Sequence, residues 1–184
     1  MAVRLPEESL SVQAIEDFVS DMDRLARSVG DDLTEPLEAC KAPIAAGIGR
    51  HFDSRSSPDG SAWAPRAYDA PHPLLEETGA LRGAATGSGP GHVERIENGN
   101  ELVWGVDKGG GGGGIPGAAV HQFGATIVPV EKQFLRFQIG EEVVFAKEVT
   151  IPARPYLGIG EETAVQCDSV FGDWLQEQAA EEVA

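Results

Sequence analysis

A chain of 184 residues and 19.4 kDa can bury a hydrophobic core without disulfide or metal staples. Its 14 Lys and Arg stand against 30 Asp and Glu, a net charge of −16 with a pI near 4.5, which excludes a nucleic-acid grip built on counterion release. DNA as a passing strand stays compatible, because an acidic wall repels a phosphate backbone. The hydrophobic share of 41% and mean hydropathy of −0.18 are ordinary. No run reaches the length of a membrane span and the opening MAVRLPEESL has no apolar stretch, so neither a membrane partner nor export is expected.

Residues 1–10 read as an arm, and 11–184 as one α+β domain. Its helical part runs to about residue 86, its strand-rich part over about 92–158, and its last helix over about 161–180. From Ser11, a cap, the apolar positions Val12, Ile15, Phe18, Val19, Met22, Leu25 and Val29 recur at steps of three and four up to Gly30. That period predicts an amphipathic helix. Leu33, Leu37, Cys40, Ile44, Ile48 and Phe52 form a second stripe. Pro36 suits its first turn, and Pro43 inside it predicts a kink. Residues 53–71 read as a loop with the turn signal Pro58-Asp59-Gly60. Its aromatics, Trp63 and Tyr68, are of the kind that dock on a body. Leu74, Leu75 and Leu81 suggest a short helix over about 73–83.

Strands follow. His92–Ile96 and Glu101–Val106 flank Asn98-Gly99, a strong hairpin signal. After the six glycines Gly109–Gly114, residues 117–123 read as a short helix or turn ending at Gly124. Thr126–Val130, Phe134–Ile139 and Val143–Thr150 read as strands. The last helix carries Val165, Val170, Phe171, Trp174 and Leu175 as its apolar stripe. No repeat is visible. The order predicts N-terminal helices and a C-terminal helix packed on a mainly antiparallel β-sheet, with long Gly-rich loops.

Chemistry is sparse. Gly114 is followed by Ile115-Pro116 rather than by the Lys-Ser/Thr of a phosphate loop, so no nucleotide cofactor is expected. Cys40 and Cys167 fit neither a disulfide framework nor a zinc site, and the four histidines have no metal-ligand spacing. His121 would need an orienting acid and a nucleophile to catalyse, and the serines form no nucleophile elbow. These readings predict no enzyme, no metal and no cofactor, with a His121-dependent hydrolase as a distant alternative. After Arg154 there is no cation, while Glu177, Glu181 and Glu182 crowd the end of the last helix. Such a run is a solvated face, a meeting surface for a basic partner or a wall facing DNA.

Four blocks in order carry a family signature. They are Phe52 with Asp59-Gly60-Ser61-Ala62-Trp63-Ala64-Pro65, Pro73-Leu74-Leu75-Glu76-Glu77-Thr78-Gly79-Ala80-Leu81, His121-Gln122-Phe123-Gly124, and Ile151-Pro152-Ala153-Arg154-Pro155-Tyr156-Leu157-Gly158. Together, across about residues 45–180, they resemble the phage virion morphogenesis, or tail-completion, family of Mu-like and other tailed phages and prophages. The resemblance implies a non-enzymatic structural protein of the virion neck or upper tail, assembled in the host cytoplasm. It would finish tails or join them to filled heads as a subunit of a ring, commonly a hexamer. Implied partners are copies of itself, neck or connector proteins, and tail tube, terminator or sheath proteins. The tail terminator that caps the tube is the alternative. Most motif residues read as fold signatures: Pro152 and Pro155 fixing a turn, Gly79 and Gly124 ending short helices, Trp63, Phe123 and Tyr156 packing. Trp63 and Arg154 stand out as assembly-interface candidates, since Trp and Arg are enriched in hot spots.

Overall fold

The second stripe forms α1, Thr34–Ser54, in the structure, a computed structural model that describes residues 30, 32–107, 114–139 and 142–183. Pro36 sits in its first turn, where a missing N–H costs no hydrogen bond, and Asp32 Oδ1 accepts the Thr34 N–H at 3.0 Å. The helix continues through Pro43 and ends at Arg55 in the left-handed region, with φ 54°. Cys40, Ile44, Ile48 and Phe52 are buried along it. The expected arm, the helix from Ser11 to Gly30 and the glycines 109–113 lie outside the described residues, Gly30 itself excepted.

The loop after α1 holds Trp63 in the core and a bridge between Ser56 and Ala62. The helix expected over 73–83 is shorter, with α2 spanning only Ala80–Ala85. Leu75 at φ 64° and Gly79 at φ 73° break the helical run before it, so Gly79 starts this helix rather than ending one. The hairpin signal holds. β1 (His92–Glu97) pairs antiparallel with β2 (Glu101–Val106), and Asn98 and Gly99 both take positive φ, 53° and 72°. Both central residues need that in a type I′ turn. The turn is tied to the start of α1 by Leu33 N–H on Gly99 O at 2.6 Å, and Trp104 of β2 donates to Ala85 O at 2.8 Å.

α3 spans Ala118–Phe123. β3 (Ala125–Ile127), β4 (Leu135–Ile139), β5 (Glu142–Ala146) and β6 (Val149–Ile151) follow. The expected strand Val143–Thr150 divides at Lys147-Glu148, so that β5 pairs with β4 while β6 pairs with β3. The class is the expected α+β with antiparallel pairing. Among the described residues, however, the strands make three two-stranded ribbons in place of one sheet.

α4, Glu161–Val183, therefore has a different seat from the expected one. It packs mainly along α1. The two run antiparallel, with Thr163 against Gly47 at one end and Trp174 Nε1 donating to Glu35 Oε2 at 3.1 Å at the other. A Cβ on Gly47 would lie 2.1 Å from Thr163 Oγ1, whose side chain is buried and accepts from Arg50 at 3.2 Å. Gly47→Ala gains about 1 kcal/mol in helix propensity but overpacks the contact by about 1–3 kcal/mol. Urea unfolding should show a net loss in the natural sequence. In a Thr163→Ala background the same change should turn neutral or stabilising.

Candidate functional site

Three of the four signature blocks meet on the extended segment Arg154–Leu157. Trp63 Nε1 donates to Pro155 O at 2.9 Å. Arg154 replies from the other side, with Nε on Ala64 O at 2.8 Å and Nη2 on Pro65 O at 3.0 Å. Gln122 closes a third side. Its Oε1 accepts the N–H groups of Tyr156 and Leu157, both at 3.0 Å, while its Nε2 donates to Leu157 O at 3.0 Å. His51 Nδ1 and Tyr156 O pair at 3.1 Å, Tyr156 OH donates to Ala118 O at 3.2 Å, and Arg154 N–H to His121 O at 2.7 Å. One side-chain amide thus does for this segment what a neighbouring strand would do, satisfying buried backbone groups.

The ring of Phe52 stands 5.6 Å from Trp63, edge to face, and 5.7 Å from Tyr156. The second block joins the same cluster through Glu76, which pairs with the adjoining Arg82. Arg82 lies 5.9 Å over Phe52 and pairs with Glu76 at 2.9 Å and Asp53 at 2.6 Å. Gly124, at φ 73°, allows β3 to approach the last block, since a Cβ there would lie 2.8 Å from Ala153 N.

Burial sets the electrostatics. It pushes the Tyr156 hydroxyl up to about 12, and it lowers the Arg154 guanidinium, with Arg66 adding to the effect. His121 is lowered by burial and then by Arg154, and its Nδ1 is buried with no hydrogen-bond partner. A histidine kept neutral when folded binds fewer protons than when unfolded, so stability falls as pH drops below its ordinary value of about 6.5. His121→Gln should flatten the stability profile between pH 7.5 and 5, as read from urea midpoints. Among the described residues no carboxylate, hydroxyl or thiol is hydrogen-bonded to the His121 ring.

The structure places the interface candidates in two environments. Trp63 and Arg154 are 6% and 5% exposed, with their donors on backbone carbonyls of the chain itself, so neither side chain offers area to a neighbour. Phe123, expected to pack, is 78% exposed. Glu177 and Glu181 are exposed on the last turns of α4, while Glu182 belongs to the helix with its side chain outside the described residues.

The other motif residues shape local backbone. Asp59 Oδ1 accepts from Ser61 N–H at 2.9 Å and its hydroxyl at 2.6 Å beside Gly60, and Thr78 Oγ1 accepts the Ala80 N–H at 3.3 Å. Leu81 is buried, Leu75 packs on the core, and Pro152 is exposed.

Sequence reasoning missed two features. Cys40 and Cys167 meet where α1 and α4 pack, and burial with Cys167 alongside pushes the Cys40 thiol up to about 12. The signal was that each lies on the apolar side of its helix. Beside them an apolar cavity of about 350 Å³ opens between α1, α4 and β2, lined in part by Ile44, Leu102, Trp104 and Phe171. Among the described residues there is no metal-ligand cluster and no helix long and apolar enough to cross a membrane.

No curated protein and no solved structure matches the chain. The description "phage virion morphogenesis family" belongs to a family model that matches residues 10–176, which takes in all four signature blocks and most of α4. The chain belongs to the phage virion morphogenesis family, and its role is in building the virion.

Proposed function

We propose that the chain is a ring subunit of the virion neck or upper tail, completing the tail and joining it to the filled head. One observation carries the reading. The signature residues hold the subunit's own interior together, while seven large apolar side chains between Phe123 and Phe145 are left exposed. Such a molecule is built to be covered by other proteins. The reading contains no catalytic step, metal or cofactor. Its partners are further copies of the chain, neck or connector proteins and tail proteins, with DNA only as a passing strand.

A phage or prophage deleted for this chain should yield filled heads beside finished but unjoined tails by electron microscopy. Tubes of uncontrolled length would instead identify the terminator. Joined, infectious particles would reject both. Complementation with His121→Ala should restore joining, and loss of joining by a folded His121→Ala chain would count against a purely structural role.

The carboxylates of α4 have two roles open in this reading, facing the channel or meeting a basic neighbour. Glu177, Glu181 and Glu182 changed together to Gln should leave folding intact. Slower DNA ejection at low salt would assign them to the channel, and failed joining to a partner.

A further inference from the structure

The β4–β5 ribbon is poorly provided for in the single chain. Isolated two-stranded hairpins are marginal in water, and neither strand packs extensively on another element. Of the large apolar side chains exposed among the described residues, seven lie between Phe123 and Phe145, including Val130 at 96% and Phe145 at 63%. In the ladder Phe145 stands opposite Arg136, so the two share one face. Arg136 is exposed and has no ion-pair partner among the described residues.

Elsewhere the chain offers the complement. The α1–α4–β2 cavity of about 350 Å³ is apolar and open. Its size falls within the range of sites that bury most of an aromatic ligand. Ile159, 58% exposed, is part of its lining, and the exposed Asp168 directly follows another lining residue, Cys167, on α4. The chain thus carries an exposed aromatic that shares a ladder face with a cation, and separately an apolar pocket with a carboxylate next in sequence to its lining.

Charge favours a second copy as the occupant's source. Residues 125–151 carry three cations and four carboxylates, so nearly all of the net charge of −16 lies elsewhere. Copies that repel one another over most of their surface can approach through this one. Residues 11–29, another apolar candidate, carry four carboxylates and two cations, a net −2 against the −1 of residues 125–151.

We propose that Phe145 of one copy seats in the α1–α4–β2 cavity of the next, with Arg136 reaching Asp168 at its rim. The two surfaces differ, so the contact is heterologous and repeats head to tail. That geometry closes into a ring when the rotation allows. The inference rests on the ring reading above and supplies its contact.

Cys167 makes the test direct. Full-length Phe145→Cys, oxidised gently with copper phenanthroline, should form a disulfide between position 145 of one copy and Cys167 of another. It should be seen as a ladder on non-reducing gels, mapped by mass spectrometry and lost when Cys167→Ser is added. Phe145→Asp should weaken self-association at least about tenfold by mass photometry. Arg136→Glu and Asp168→Arg should each weaken it and together restore it.

Rings that persist in Phe145→Asp without a 145–167 bond would overturn the inference while leaving the ring reading intact. A wild-type chain that stays monomeric at every concentration, with and without tails, would overturn both. A 145–167 bond within one chain, or a Phe18→Cys chain that captures Cys167 instead, would assign the cavity to the chain's own residues and overturn the inference.

Discussion

Trp63→Ala should lower the stability of the isolated chain by about 3–5 kcal/mol, the usual cost of truncating a buried Trp or Phe. Trp63 is 6% exposed, packs edge to face on Phe52 and donates to Pro155 O at 2.9 Å. Alanine leaves a void at the centre of the aromatic cluster and a buried carbonyl with no donor. A domain of this size has about 5–15 kcal/mol to lose, so the variant should be partly unfolded at 37 °C. Trp63→Phe keeps an aromatic ring against Phe52 but removes the N–H together with part of the indole, so it should cost about 1–3 kcal/mol for the orphaned carbonyl plus a smaller cavity contribution than alanine. Urea midpoints of the two variants measure the difference. A Trp63→Ala chain with normal stability and failed assembly would return Trp63 to the interface role that its residue type suggests.

Arg154→Met should cost about 2–5 kcal/mol. Arg154 is 5% exposed and its guanidinium has no carboxylate partner among the described residues; the backbone oxygens of Ala64 and Pro65 accept its hydrogen bonds. Methionine replaces the apolar stem but orphans both carbonyls, at about 1–3 kcal/mol each, less what the buried charge itself costs to hold. Arg154→Lys should rescue only part, since one ammonium cannot reproduce the fork geometry. A second readout is independent of unfolding. Arg154 is one of the two causes that lower His121, so an NMR titration of the Arg154→Met chain should show His121 binding its proton at higher pH than in the natural sequence.

These positions show what was legible in the sequence. The stripe from Leu37 to Phe52 and the Asn98-Gly99 turn were read correctly, because both depend on spacing and backbone preference within a few residues. The division of Val143–Thr150 was not, since Val143, Val144, Phe145, Val149 and Thr150 suit a strand on both sides of Lys147-Glu148 and the change of partner there is a tertiary event. Leu74, Leu75 and Leu81 suggested a longer helix because apolar spacing says nothing of the positive φ at Leu75. At the candidate site, residue type has two readings. Trp and Arg mark hot spots and also mark interior clasps; only the position of Pro155 O, Ala64 O and Pro65 O distinguishes the two. The motif pointed to Gln122 without revealing that its amide serves three backbone groups.

The antiparallel seat of α4 on α1 sets a timetable for synthesis. The buried stripe Cys40, Ile44, Ile48 and Phe52 is covered by Tyr156 and by Cys167, Val170 and Phe171 from the far end of the chain. At about 5–20 residues per second, the ribosome finishes α1 roughly 5–20 s before it delivers that cover. Through this interval the helix face on every nascent chain has only its nearer neighbours, such as Trp63 and Leu81, and lacks the cover that Tyr156 and α4 supply. Holdase chaperones have their binding window there, and a chain cut short of residue 156 should accumulate as aggregate rather than as a smaller folded unit.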